Sequence, residues 1–259
     1  MASGVRKSGE FCWINIVTPN PAEAREFFSK MFGWSYNDMP EFGGGIIKAD
    51  GHEIGGMWDI AGPGSPPDMA PVIGVMVKVD NADAAHDKVK SLGGQAQPPM
   101  DIMTNGRMVA CTDPTGASFD LWEAKDQPGT DADSFQHGVP SWSELLTKDT
   151  ASAEKFYKSL FGWTASEQDM GHMKYTTFKL GDDYAAGMMQ YVPEMGDMPI
   201  GWSTYVTVND VDASVEKASG LGASVFMPAM DVQTVGRMAG MVSPQGVSFY
   251  VIKYEPPPA

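Results

Sequence analysis

The chain has 259 residues, of which 42% are hydrophobic and 20% are charged, and its formal net charge at pH 7 is −15. This length and composition are typical of a globular protein with two domains. The acidic balance argues against binding to a phosphate backbone, and no apolar run of about eighteen residues could span a bilayer, so we expect neither a nucleic acid nor a membrane as partner.

The first ten residues, MASGVRKSGE, lack the apolar region of a signal peptide. Their composition therefore predicts a cytoplasmic protein. Only two cysteines occur, Cys12 and Cys111. We expect both to be reduced, buried thiols, because one disulfide would do little to stabilise a chain of this length.

A strand and a helix are the first predicted elements. The run FCWINIV predicts the strand, and PAEAREFFSKMFGW predicts the helix. Asn20 is the expected N-cap, Pro21 is at the first helical position, Glu23 is at the third, and Gly33 ends the helix. The runs GGGIIKAD and EIGGMWDI then predict a hairpin.

The same order of strand, helix and strands begins again at VIGVMVKV and ends at ASFDLWEA. The first half of the chain therefore contains two βαβββ units. The second half repeats this order, because FFSKMFGW at Phe27 recurs as FYKSLFGW at Phe156, 156 − 27 = 129 residues later. Trp13 recurs as Trp142 at the same distance of 142 − 13 = 129 residues. These repeats predict a tandem duplication of a whole domain.

An acidic segment without apolar periodicity, Glu123–Gly138, contains the predicted domain boundary. We predict an N-terminal domain over residues 1–125, a linker over 126–138 and a C-terminal domain over 139–259. The fold class is α+β, with two tandem domains that each consist of a pair of βαβββ modules. The tail EPPPA is expected to be extended and unpacked.

Four such modules in two pairs, with FYKSLFGW after a first strand and DPTG before a last strand, resemble the glyoxalase/bleomycin resistance/dioxygenase superfamily, also called the vicinal oxygen chelate fold. They are similar in particular to its bacterial tandem-domain, glyoxalase-like members. The resemblance covers about residues 9–254. It implies that each domain forms an incomplete eight-stranded barrel with helices outside and a ligand cavity inside.

The resemblance also implies four metal-ligand positions in each domain. At these positions the chain has Trp13, Gly74, Asp120 and about Met57 in the first domain, and Trp142, Ser203, Tyr250 and about Met188 in the second. Only Asp120 could bind a metal, whereas a catalytic metal needs about three protein ligands. We therefore predict that the chain has no metal site and no cofactor. The histidines show no ligand spacing and are expected on the surface or in loops: His52, His86, His137 and His172.

Because side chains alternate along a strand, the cavity-facing residues can be predicted in each domain. The expected ligand-binding residues are Trp13, Asn15, Met76 and Trp122 in the first cavity, and Trp142, Tyr205 and Tyr250 in the second. Indole and thioether groups suit a flat, apolar ligand. The alternative is that they only fill the interior, as many of the 19 methionines must do.

Two carboxylates are candidate catalytic residues, Glu144 and Asp120. Glu144 is expected to be desolvated beside Trp142, with a raised pKa that suits a general acid or base. The alternative is a structural network in which Glu144 accepts a hydrogen bond from Tyr205 or Tyr250. Arginines of the repeated GRM, Arg107 and Arg237, are expected either at a cavity mouth or bound to backbone carbonyls.

These residues leave three hypotheses of function. The first is a small-molecule binding protein without the metal site, which captures a compact aromatic or hydrophobic ligand for resistance or detoxification. The second is a lyase, isomerase or hydroxylase-like enzyme that acts through Glu144 or Asp120. The third is a structural or regulatory partner protein with a vestigial pocket. Either a monomer or a homodimer is compatible with all three.

Overall fold

The computed structural model describes residues 4–62, 69–170, 174–196 and 198–255. The predicted unpacked tail therefore lies outside the described residues beyond Glu255. In the N-terminal half the elements are β1 (Phe11–Thr18), α1 (Pro21–Phe32), β2 (Ser35–Met39), β3 (Gly44–Ala49), β4 (His52–Asp59), β5 (Val72–Val79), α2 (Ala82–Ser91), β6 (Gln95–Ala96), β7 (Met100–Ile102), β8 (Gly106–Thr112) and β9 (Ser118–Ala124).

The C-terminal half repeats this order, with one long strand in place of β6 and β7. Its elements are β10 (Pro140–Thr147), α3 (Thr150–Phe161), β11 (Thr164–Asp169), β12 (Lys174–Leu180), β13 (Asp183–Gln190), β14 (Gly201–Thr207), α4 (Val211–Gly220), β15 (Ser224–Val232), β16 (Gly236–Val242) and β17 (Ser248–Tyr254). Short 3-10 helices occur at Pro40–Phe42 and Pro193–Met195.

Each half forms one sheet, and the two sheets have the same topology. The strand order is β2-β3-β4-β1-β5-β9-β8-β6 in the first, where β7 also pairs with β8, and β11-β12-β13-β10-β14-β17-β16-β15 in the second. The first strand of each half pairs in parallel with the last strand of its own module and antiparallel with the first strand of the next. Among the described strands no ladder joins the two edges of a sheet. The predicted α+β fold of two tandem, incompletely closed domains is confirmed.

The helices begin and end where local sequence dictates. The Asn20 side chain accepts a hydrogen bond from the Glu23 amide at 3.3 Å, Pro21 begins α1, and Gly33 ends it with a φ of 74°. A left-handed backbone conformation at the end of a helix costs glycine least, because glycine has no Cβ. Asp149 and Gly162 have the same roles in α3. The predicted caps of the first helix are therefore confirmed.

The helices cover one face of each sheet and pack across the boundary between the two halves. Three rings of α1, those of Phe27, Phe28 and Phe32, lie 5.9, 5.5 and 5.9 Å from the ring of Phe249 on β17. Correspondingly, residues of α3 contact Phe119 on β9. One buried cluster thus joins the first module to the fourth, and another joins the second to the third. The halves share their hydrophobic cores.

The segment 126–138 contains neither helix nor strand, yet it makes hydrogen bonds to both halves, including two with β14. The Arg6 guanidinium, only 5% exposed, donates hydrogen bonds to the Ala132 carbonyl at 2.7 Å and to Ser134 Oγ at 3.2 Å. Trp34 Nε1 of the N-terminal half donates to the Gly138 carbonyl at 2.7 Å. The connection is therefore held in place along its length.

Cys12 and Cys111 are free and buried, and burial raises the pKa of each thiol to about 12. Within the described ranges, no helix is long and apolar enough to cross a membrane.

The shared core makes a prediction for the stability of the chain. Replacing Phe249 by Ala should lower the free energy of unfolding by about 3 to 5 kcal/mol, because the ring packs against three phenylalanines of the other half. Urea denaturation followed by far-ultraviolet circular dichroism and by tryptophan fluorescence should show one transition at a lower midpoint. Phe135→Ala, at a position 56% exposed, is the control and should cost less than about 1 kcal/mol. Separate melting of the C-terminal half alone would contradict the shared core.

Candidate functional site

The face of each sheet turned away from the helices, here called the helix-free face, carries most of the predicted site residues. On the C-terminal helix-free face, Glu144 is 9% exposed and both of its carboxyl oxygens are hydrogen-bonded. Tyr175 donates to Oε2 at 2.7 Å and Tyr205 donates to Oε1 at 2.9 Å. Trp142 Nε1 in turn donates to the Tyr175 hydroxyl at 3.1 Å. Burial raises the pKa of Glu144, and the two tyrosine hydrogen bonds oppose that rise.

This network resembles the structural alternative that the sequence left open for Glu144. Of the two tyrosines considered as partners, Tyr205 makes the hydrogen bond and Tyr250 does not. Instead the Tyr250 ring stacks on Tyr205, with ring centroids 4.6 Å apart. The edge of Phe226 packs against the same ring at 5.3 Å. The C-terminal helix-free face is therefore filled by its own aromatic side chains.

The N-terminal helix-free face has a half-buried carboxyl at its centre, that of Asp120. Burial raises its pKa to about 7, and a hydrogen bond from Asn15 partly offsets that rise. Trp58 Nε1 donates to Asn15 Oδ1 at 3.0 Å, which leaves the amide nitrogen of Asn15 to face Asp120. A carboxyl with a pKa near neutrality can donate or accept a proton under physiological conditions.

An apolar cluster lies beside this carboxyl. The side chains of Met76 and Trp122 are buried, and Trp13 packs against them. No side chain occupies the position of Gly74, where an added Cβ would make only ordinary contacts, the nearest with the Asn15 carbonyl oxygen at 3.5 Å. The predicted residues Trp13, Asn15, Met76, Asp120 and Trp122 are thus brought together on one face.

Four residues of these arrangements were missed by sequence reasoning: Trp58, Gly56, Tyr175 and Gly187. A Cβ at Gly56 would come within 2.5 Å of the Trp58 ring, and one at Gly187 would collide with the Tyr175 hydroxyl. Each glycine pairs with the polar residue of the central strand, Gly56 with Asn15 and Gly187 with Glu144. The repeated glycine was the available signal, since it marks where a neighbouring side chain crosses a strand.

Among the described residues, the implied ligand positions offer fewer donors than the three or so that a catalytic metal needs. Met57 and Met188, assigned to a ligand position, are fully buried in the shared cores on the helix side of the sheets. That assignment was wrong by one residue, because Gly56 and Gly187 are the neighbours that face the other side. Within the described parts of the chain, no three His, Cys, Asp or Glu side chains are grouped so that they could hold a metal ion. Each helix-free face offers one carboxyl at its centre.

The described histidines lie away from both faces. His52 contacts Asp131 at 2.7 Å and His86 contacts Asp87 at 2.9 Å. His137 accepts a hydrogen bond from the Asn209 amide at 3.3 Å. His172 lies outside the described residues.

The arginines of GRM pair with carboxylates, whereas backbone carbonyls were one of the two expected settings. Arg107 pairs with Asp83 and contacts Asp101 at 3.6 Å, and Arg237 pairs with Asp212 at 2.8 Å and Asp231 at 3.0 Å. Asp83 and Asp212 lie in the first turns of α2 and α4, where the helix dipole favours an acidic residue. The arginines therefore tie each helix to its neighbouring strands.

Comparison with known families places both halves of the chain in one group. The model of the Glyoxalase/Bleomycin resistance protein/Dioxygenase superfamily matches residues 11–121, and that of the Glyoxalase-like domain matches residues 144–252.

Two curated relatives span almost the whole chain. CFP32 of Mycobacterium tuberculosis, which carries a provisional name as a glyoxylase, is 35% identical over 250 residues, or 94% of each chain. The anthracycline biosynthesis protein DauV of Streptomyces sp. strain C5 is 28% identical, covering 95% of this chain and 93% of its own.

Solved structures share the fold at much lower identity. The 2,2',3-trihydroxybiphenyl 1,2-dioxygenase of Sphingomonas wittichii superposes with a TM-score of 0.65 at 13% identity, covering 95% of this chain and 90% of its own. A Mn(II)-bound glyoxalase from Novosphingobium aromaticivorans superposes with a TM-score of 0.62 at 14% identity, covering 98% and 84%. These likenesses concern the fold alone.

The raised pKa of Asp120 predicts a pH dependence of stability. The folded-state pKa of about 7 lies above the usual value of 3.8. Between these values the folded chain holds a proton that the unfolded chain has lost, so stability contributed by this group is present at low pH and falls as pH rises. Asp120→Asn cannot ionise and should remove that decline.

Urea midpoints measured from pH 4 to pH 8 check this expectation. The free energy of unfolding of Asp120→Asn, relative to that of the wild type, should increase by a few kcal/mol between pH 4 and about pH 7. Above about pH 7 it should stay constant. Glu41→Gln, at an exposed position, controls for the loss of one negative charge. A difference that does not change with pH would show that the folded state does not retain the proton.

Proposed function

The chain belongs to the glyoxalase/bleomycin resistance protein/dioxygenase superfamily, and from this membership together with the N-terminal helix-free face we propose that it binds a compact, flat aromatic molecule. The observation that carries the proposal is the half-buried carboxyl of Asp120 on a face where the nearby Gly74 contributes no side chain. A buried carboxyl with one side-chain partner has hydrogen-bonding capacity to offer a ligand.

The walls of this face suit an aromatic ring. Trp13 and Trp122 supply indole surface, and Met76 supplies a thioether that adapts to the shape of a bound ring. The relative DauV is named as an anthracycline biosynthesis protein, and an anthracycline is a fused-ring aromatic compound. Its name supports the same class of ligand for this chain.

Asp120 would give the ligand its orientation. When protonated, its carboxyl donates a hydrogen bond to a carbonyl or ether oxygen, and when ionised it accepts one from a hydroxyl. A pKa of about 7 makes both forms available near neutral pH. The proposal involves no metal, because the donor set on each face does not fit one.

An enzyme is the second candidate, favoured by the same pKa. Asp120 could take a proton from one atom of a bound substrate and return it to another, which is the proton balance of an isomerisation. Glu144 is less suited to this role, because Tyr175 and Tyr205 already engage both of its oxygens.

Binding of 2-naphthol, a flat aromatic molecule with one hydroxyl, tests the proposal. Isothermal titration and quenching of tryptophan fluorescence should show saturable binding to the wild type. Asp120→Ala should weaken it by about tenfold, the value of one hydrogen bond of about 1.4 kcal/mol. Glu144→Gln, on the other face, is the control and should leave the affinity within about twofold. An equal effect of both variants, or no saturable binding, would refute the N-terminal site.

An assay of proton exchange with solvent distinguishes an enzyme from a protein that only binds the molecule. An isomerising enzyme in deuterated water should place solvent deuterium in recovered substrate or product, because Asp120 exchanges its proton with solvent. Asp120→Asn should stop this exchange, observed by proton NMR, while still binding the molecule. Exchange that continues in the variant would exclude Asp120 as the acid–base group.

A further inference from the structure

The duplication allows the two helix-free faces to be compared position by position. In the N-terminal sheet Asn15 pairs with Gly74, and Met76 pairs with Asp120. In the C-terminal sheet the same ladders pair Glu144 with Ser203, and Tyr205 with Tyr250. Asp120 and Tyr250 therefore occupy equivalent positions.

In the C-terminal sheet an aromatic ring fills the space beside this position. The Tyr250 ring is 3% exposed, stacks on Tyr205 at 4.6 Å and contacts the edge of Phe226 at 5.3 Å. Its hydroxyl forms a hydrogen bond with Ser203. The Tyr250 ring is thus held by the ring of Tyr205 on one face, by Phe226 at its side and by Ser203 at its hydroxyl.

The N-terminal sheet lacks both of these rings. Asp120 stands at the position of Tyr250, and Gln97 stands at that of Phe226, since Leu92-Gly93 aligns with Leu221-Gly222 and 226 − 97 = 221 − 92 = 129. Gln97 is exposed and does not replace the missing ring. Gly74 replaces Ser203, and a Cβ added there would make only ordinary contacts with Asn15.

We propose that the ring of a ligand binds on the N-terminal face at the position that the Tyr250 ring occupies on the C-terminal face. This inference rests on the proposed function. The ligand ring would stack on Met76 as Tyr250 stacks on Tyr205, with its hydrogen-bonding substituent at Asp120. The opposite edge of the ring would point to Gly74, which has no side chain to end the site.

Gly74 is then the specificity-determining residue. A serine at this position, as in the C-terminal face, would close the far end of the site and limit it to a single ring. With glycine, a second fused ring can extend past the strand. One chain would take one ligand, because the C-terminal face is already filled.

A ligand-free experiment tests whether the N-terminal face has space for the ring. Asp120→Tyr copies the C-terminal face and, where that space exists, should unfold thermally at pH 8 at a midpoint no lower than that of the wild type. Insertion of a ring into a filled core would instead lower the midpoint by several degrees. A lowered midpoint would overturn the inference whatever the probe measurements show.

Calorimetric titration with phenol and 2-naphthol tests the role of Gly74. The wild type should bind one equivalent of 2-naphthol per chain. Gly74→Ser should lower the affinity for 2-naphthol by about tenfold and the affinity for phenol by less than about threefold. Only the second ring of 2-naphthol would meet the new side chain. Ser203→Gly is the matched control and should change neither affinity by more than about twofold.

Two results would overturn the inference. One is a stoichiometry of two equivalents of 2-naphthol per chain. The other is an equal loss of affinity for phenol and for 2-naphthol in Gly74→Ser. Failure of the wild type to bind either probe, with Asp120→Tyr fully stable, would instead refute the proposed function on which the inference rests.

Discussion

The packing of each helix against the opposite half of the chain is the constraint on which the rest of the structure depends. Phe249 of the last strand sits among three phenylalanines of the first helix, and the equivalent contacts of α3 join the other two modules. This packing buries the helix side of both sheets in shared cores. The opposite faces have no helix to cover them, so their side chains are free to build a site or to fill the space themselves.

On both helix-free faces a polar residue of the first strand accepts a hydrogen bond, but the donor differs between the faces. In both, an N–H or O–H group must satisfy the polar residue at the centre of the first strand. Trp58 reaches Asn15 from β4 across Gly56 and Gly44, whereas Tyr175 reaches Glu144 from β12 across Gly187. A hydrogen bond of similar function has thus moved between strands after duplication, and the glycine that makes room for it has stayed.

Local sequence predicted the elements well, because their signals are short-range. Asn20 and Gly33 fix the ends of the first helix through their own conformations, and the repeat of 129 residues required a second domain of the same topology. Alternation along β1, β5 and β9 correctly grouped Trp13, Asn15, Met76, Asp120 and Trp122. The sequence could not show the reach of Trp58 or Tyr175, which depends on how far each side chain extends over a neighbouring strand. The assignment of Met57 failed for a related reason, since a shift of one residue moves a side chain to the other face.

The carboxyls of Asp120 and Glu144 differ in how far the chain compensates their burial. Desolvation raises the pKa of both groups, and neither has a cationic partner among its causes. Glu144 receives hydrogen bonds from two tyrosines, which stabilise its charge and hold it in a filled interior. Asp120 receives only one, from Asn15, so the chain compensates its burial less than that of Glu144. A buried polar group costs free energy unless a partner satisfies it, and a fold keeps such a group most readily where an external molecule can be that partner. The asymmetry between the repeats therefore points to the N-terminal face.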